Sequence, residues 1–102
     1  SINIVSVNEM IELILKRLRP IAQKRDVEIT FESNRPVMAE IDEVKLTLAI
    51  SNLVENAIKY NHDNGQVKVT LDADHQDYMK IFQNRNLNSR ICLYRYLHHS
   101  HN

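Results

Sequence analysis

The chain has 102 residues, 43% of them hydrophobic and 25% charged, which suffices for a single small domain with one modest core and leaves no room for two. Thirteen Lys+Arg balance thirteen Asp+Glu for a formal net charge of zero, excluding a surface built as a whole to hold nucleic acid or anionic lipid. Gly65 is the only glycine, where an ordinary ~7% would supply about seven. A phosphate-cradling loop alone usually needs about two or three, a shortage that any nucleotide-binding reading of this chain must face.

Cys92 is the only cysteine, which excludes an internal disulfide and a Cys-rich metal framework and fits a reducing cytoplasm. No apolar run approaches the ~20 residues of a membrane span, and the opening residues carry neither a basic n-region nor an apolar h-region. No membrane contact is expected of this segment. Charge is unevenly spread. Residues 1–80 hold all thirteen acids and ten bases, whereas residues 81–102 hold Arg85, Arg90 and Arg95 and no acid. The same tail carries His98, His99, His101, Cys92 and four asparagines without a clear apolar period. This shift predicts a boundary near residue 81, dividing the chain into 1–81 and 82–102.

In chain order, Ile2, Ile4 and Val7 predict a short opening strand, and Ser6 followed three residues later by Glu9 is a capping-box start for a helix. Met10, Ile11, Ile14, Leu18 and Ile21 then recur at helical steps, and Pro20 is expected to kink or divide that helix. Val27 to Glu32 alternates apolar and polar as a strand with one buried face. Val37-Met38-Ala39 predicts a brief second strand, after which Asp42 is placed to cap a helix from Glu43 to about Tyr60. His62-Asp63-Asn64-Gly65 reads as a turn in which Asn-Gly takes positive φ cheaply. Gln66 to Leu71 alternates again, Asp74-His75-Gln76-Asp77 reads as a turn, and Tyr78 to Ile81 begins a strand that should close a hairpin. The fold class is α+β, a two-layer α/β sandwich whose mixed sheet carries helices on one face.

On a wheel of ~100° per residue, Leu46, Ile50, Leu53, Val54 and Ala57 share one apolar arc of the second helix. Opposite it, Asn52 and Asn56 are one turn apart, with Lys59 and Tyr60 one turn further along. Two carboxamides can offer oxygens to a hard cation such as Mg2+, an ammonium can neutralise phosphate, and a Tyr ring can cover a base. By spacing alone the same residues also describe an ordinary solvated face.

The string Asn52-Leu53-Val54-Glu55-Asn56-Ala57-Ile58-Lys59-Tyr60 resembles the N box of the ATP-binding domain of bacterial sensor histidine kinases, in the superfamily of Bergerat-type folds shared with gyrase. The resemblance extends over residues 1–80, including the Val-Glu-Ile strand and Asp42 at the start of the N-box helix. It implies that Asn56 ligates Mg2+, Asn52 assists, Lys59 contacts phosphate and Tyr60 borders the nucleotide. Gyrase-like ATPases hold a water-activating Glu in the place of Asn52. An amide cannot act as a base, which suits a kinase that avoids hydrolysing ATP. Glu55 flanks the stripe and reads as a surface charge. The parent reaction implied is transfer of the γ-phosphoryl of Mg-ATP to a histidine on a separate dimerisation domain, then to an Asp of a response regulator, in the cytoplasmic part of a membrane-bound sensor. No histidine before residue 62 could be that acceptor.

The resemblance ends after Ile81. An Asp-x-Gly-x-Gly box should follow, its Asp holding the adenine amino group, but the chain reads Phe82-Gln83-Asn84-Arg85-Asn86-Leu87-Asn88. The ATP-binding domain is therefore read as incomplete, and residues 82–102 as an out-of-frame or otherwise aberrant ending. A genuine basic tail, with three Arg interleaved with Tyr94 and Tyr96, is the rival. Weak or absent ATP binding is expected, because nothing in the chain secures adenine. The alternative function is an ATP-independent interaction module whose free sheet edge pairs with a partner or forms a homodimer, which Cys92 would cross-link if oxidised.

Overall fold

The computed structural model describes residues 1–72 in full and, beyond them, the backbone of two strands over 78–83 and 86–92. In chain order the elements are β1 (Asn3–Ser6), α1 (Val7–Lys24), β2 (Val27–Ser33), β3 (Met38–Ile41), α2 (Glu43–Lys59), β4 (Gly65–Asp72), β5 (Tyr78–Gln83) and β6 (Asn86–Cys92). The expected turn at Asp74–Asp77, the tail tyrosines and histidines, and the Cys92 side chain lie outside the described residues.

Helix α1 starts on its capping box, and Val7, expected in the opening strand, is its first residue. The Ser6 hydroxyl accepts the Glu9 N–H at 3.3 Å, satisfying one of the donors a helix leaves open at its first turn. Val7, Met10, Ile11, Ile14, Leu15, Leu18 and Ala22 are its buried face. Two further expectations are corrected. Ile21 is 51% exposed, and Leu15 and Ala22 are buried instead. The helix also runs undivided through Pro20 to Lys24. Pro20 and Lys16 are both exposed and Pro20 is near the helix end, where water can reach the carbonyl that a proline cannot serve, which reduces the cost of a proline there.

Two sheets form, an antiparallel ribbon of β1 and β3 and a four-stranded sheet in the order β2-β4-β5-β6. Strand β3 begins one residue later than expected and runs on to Ile41, because its ladder with β1 pairs Ser6 with Met38 and Asn3 with Ile41. Val37 is buried just before it, its N–H donated to Asn8 Oδ1 at 2.8 Å and its carbonyl accepting the Val7 N–H at 2.9 Å. Strands β2 and β4 are parallel, Val27 facing Gly65 and Ser33 facing Leu71. Such neighbours require a crossover, which β3 and α2 provide. Strands β4 and β5 form the expected hairpin, and β5 pairs antiparallel with β6. The sheet thus continues past position 81, with a register shift between Ile81 and Phe82. The alternation of Asn86 to Cys92 is too weak to have announced β6.

Val27 and Ile29 on β2 and Val67, Val69 and Leu71 on β4 are buried, while the intervening Glu28, Thr30, Gln66 and Lys68 are exposed. Helix α1 lies against β2 and α2, and α2 lies over β4 and β5, so both helices cover the same face. The result is an α+β sandwich of two layers with a mixed sheet. No helix among the described residues is long and apolar enough to cross a membrane.

Candidate functional site

Helix α2 carries the candidate residues, and both of its ends are specified locally. Asp42 caps the start, its Oδ1 accepting the Lys45 N–H at 3.2 Å. That backbone donor, the largest influence on the group, holds the Asp42 carboxyl below its ordinary value of 3.8. Glu43 in the first turn and Lys59 in the last agree with the helix dipole. Tyr60 is the C-cap, its N–H bonded to Asn56 O at 3.0 Å.

The buried side of α2 comprises Leu46, Ile50, Ser51, Val54, Ala57 and Ile58. Leu53, expected within the arc, is only partly buried, and Ile58 is at 2% exposure. The core-facing arc is therefore rotated toward Ile58, with Leu53 at its rim. Ser51 accepts a hydrogen bond from Arg17 Nη2 at 3.1 Å, which ties α2 to α1.

Asn52, Asn56, Lys59 and Tyr60 are all exposed. The two carboxamides are one turn apart, about 6 Å along the axis, and Lys59 Nζ lies 5.3 Å from the centre of the Tyr60 ring. The expected four-residue stripe is thus an accessible face, backed by a helix whose other side is locked into the core. Its donor set is two neutral amide oxygens and one ammonium. Without a carboxylate that set is weak for a bare divalent cation and better suited to one already bound to phosphate. Glu55 is exposed beside it. No group of three or more His, Cys, Asp or Glu is arranged to hold a metal among the described residues. A cleft of about 530 Å³, lined by Arg19, Gln23, Asp26, Glu28, Asn64 and Gln66 among others, shares no residue with the stripe.

Asn61, which sequence reasoning passed over, is buried at 8% exposure directly after the stripe. Its Nδ2 donates to Gln66 O at 3.0 Å and its Oδ1 accepts the His62 N–H at 2.9 Å. Asn64 takes φ 63°, as expected for the turn. Gly65 has no positive φ and is instead the first residue of β4, buried where the chain passes close to Asn61. An Asn in an otherwise ordinary turn carries no periodic signal, so only the tertiary contact reveals it.

No family model matches the chain. It is 27% identical over 77 residues to the sensor histidine kinase HprS of Escherichia coli (strain K12), covering 76% of this chain and 17% of that kinase. Among solved structures it is similar to the cytoplasmic segment of histidine kinase QseC, with a TM-score of 0.73, 20% identity, and coverage of 79% of this chain and 50% of that one. It is also similar to histidine kinase ThkA in a complex with the response regulator protein TrrA, with a TM-score of 0.69, 22% identity, and coverage of 78% and 24%. The chain has the fold of histidine kinase catalytic domains and spans about a sixth of the length of the kinase it matches in sequence.

Proposed function

We propose that this chain contains the phosphate and metal half of the Mg-ATP site of a sensor histidine kinase. The observation that carries the reading is that Asn52, Asn56 and Lys59 along α2 and Tyr60 at its C-cap are all exposed, in a fold shared with histidine kinase catalytic domains. In this reading Asn56 and, beside it, Asn52 hold Mg2+ through their amide oxygens. Lys59 neutralises phosphate oxygens, and Tyr60 borders the nucleotide. The cation would supply charge neutralisation across the phosphates. With an amide at position 52, no group in the stripe takes a proton from water, so the site favours retention of ATP over hydrolysis.

In the parent kinase the γ-phosphoryl would pass to a histidine on a separate dimerisation domain and from there to a response regulator. This chain would contribute positioning and charge, and residues 82–102 would add no adenine-binding box. Binding is therefore expected to be weak, dependent on Mg2+ and indifferent to the base. Titrating the chain with ATP, GTP and inorganic triphosphate, with and without Mg2+, tests this by amide chemical shifts. Mg2+-dependent shifts at residues 52–60 with all three ligands, alike for ATP and GTP, support the reading. Shifts confined to other residues, no shifts at millimolar ligand, or micromolar affinity for ATP alone would overturn it.

A further inference from the structure

We propose that Asn61 is a positioning residue: its buried carboxamide clamps the last turn of α2 to the start of β4 and thereby sets Lys59 and Tyr60 within the polar stripe. Asn61 and Ser51 are the two buried polar residues among the described side chains, and a buried amide persists only when its donor and acceptor are both used. Here they are. The Nδ2 group reaches the Gln66 carbonyl on β4, and Oδ1 receives the His62 N–H. The backbone N–H of the same residue donates to Ile58 O at 3.2 Å, one link behind the Tyr60 N–H that donates to Asn56 O. One residue thus ties the helix end to the strand through its main chain and its side chain together.

The surrounding turn is shaped to admit that carboxamide. A Cβ on Gly65 would lie 2.6 Å from Asn61 Cγ and 2.7 Å from His62 O, so only glycine leaves the space. The Gly65 N–H closes the turn on His62 O at 3.0 Å, and the Asn64 N–H anchors it to Asp26 O at the foot of β2 at 2.9 Å. Serine is too short to span from the helix end to Gln66 while also accepting from His62. Aspartate keeps the acceptor and loses the donor, so the Gln66 carbonyl loses its hydrogen bond from this side chain. That the stripe binds Mg-nucleotide rests on the function proposed above; the clamp does not.

Residue-resolved amide hydrogen exchange on the wild-type chain, Asn61→Ala and Asn61→Asp tests the clamp, with the Tyr60 ring proton shifts as a second readout. In Asn61→Ala, exchange at residues 59–62 is expected to accelerate tenfold or more and the Tyr60 ring shifts to move toward free-tyrosine values. Amides of α1 and of residues 46–54 should keep their wild-type rates. Asn61→Asp, equal in size, carries the test if the alanine variant does not fold, and should still protect the His62 amide better than alanine does. Unchanged exchange at residues 59–62, or an equal acceleration at every amide, would overturn the proposal. If the wild-type chain binds no Mg-nucleotide while these exchange changes appear, the clamp stands and the functional reading falls.

Discussion

Lys59 Nζ stands 5.3 Å from the centre of the Tyr60 ring, although neighbouring positions on a helix project about 100° apart and do not meet. Tyr60 is the C-cap, with φ −97° and ψ 13°, and the long Lys59 side chain reaches its ring. A cation–π contact at an exposed site is worth about 0.5–1 kcal/mol, little enough for a phosphate to draw the ammonium away. Tyr60→Phe should therefore keep Mg-nucleotide affinity near wild type, while Tyr60→Leu weakens it several-fold. Neither should move the thermal midpoint appreciably. Paired shift titrations and melts check both statements.

The two carboxamides should separate from the ammonium by their dependence on metal. Asn56→Ala is expected to remove the Mg2+ requirement together with most of the binding, and Asn52→Ala to weaken it less. Lys59→Met should lower affinity with or without Mg2+ and flatten its dependence on salt. All three side chains are exposed, so stability should stay within about 0.5 kcal/mol of wild type. Calorimetric titration across salt and Mg2+ concentrations gives the comparison.

Gly65→Ala forces a methyl group against the Asn61 carboxamide and the His62 carbonyl. Overpacking of this kind costs about 1–3 kcal/mol, read as a lower urea midpoint. In an Asn61→Ala background part of that cost should disappear, since one of the two obstructions is gone. Full additivity of the two substitutions would show that the pair does not share space.

The core makes a contrast between two isoleucines. Ile50 is fully buried and Ile21 is 51% exposed. Ile50→Ala is expected to cost about 2–5 kcal/mol, whereas Ile21→Ala should change stability by no more than about 0.5 kcal/mol. Denaturant unfolding of the two variants decides it.

Asp42 contributes to the acid limb of stability. Its carboxyl is held below 3.8 by the Lys45 N–H in the folded chain, so the stabilisation is fully present above the unfolded value. It is lost as pH falls through and below that value. Asp42→Asn keeps a capping acceptor and removes the titration. Melts between pH 2 and pH 6 should show the wild type losing more stability than the variant below about pH 4.

Much of this molecule was legible in the order of its residues. Ser6 and Asp42 announced the two helix starts, the alternation of Val27 to Glu32 and of Gln66 to Leu71 announced two half-buried strands, and the N-box string singled out Asn52, Asn56, Lys59 and Tyr60 as candidates. These are local signals, carried by side chains within one turn or one pleat of each other. The tertiary structure decided what depends on distant partners. It set Leu15 and Ala22 rather than Ile21 in the core, because the face of α1 turned inward is chosen by β2 and α2. It carried the sheet past position 81 through a ladder with β5 that no single strand encodes. It also gave Gly65 its reason, which is the closeness of Asn61 across the turn and not a backbone angle, and a residue's reserve of empty space exists only once its neighbour has been brought there.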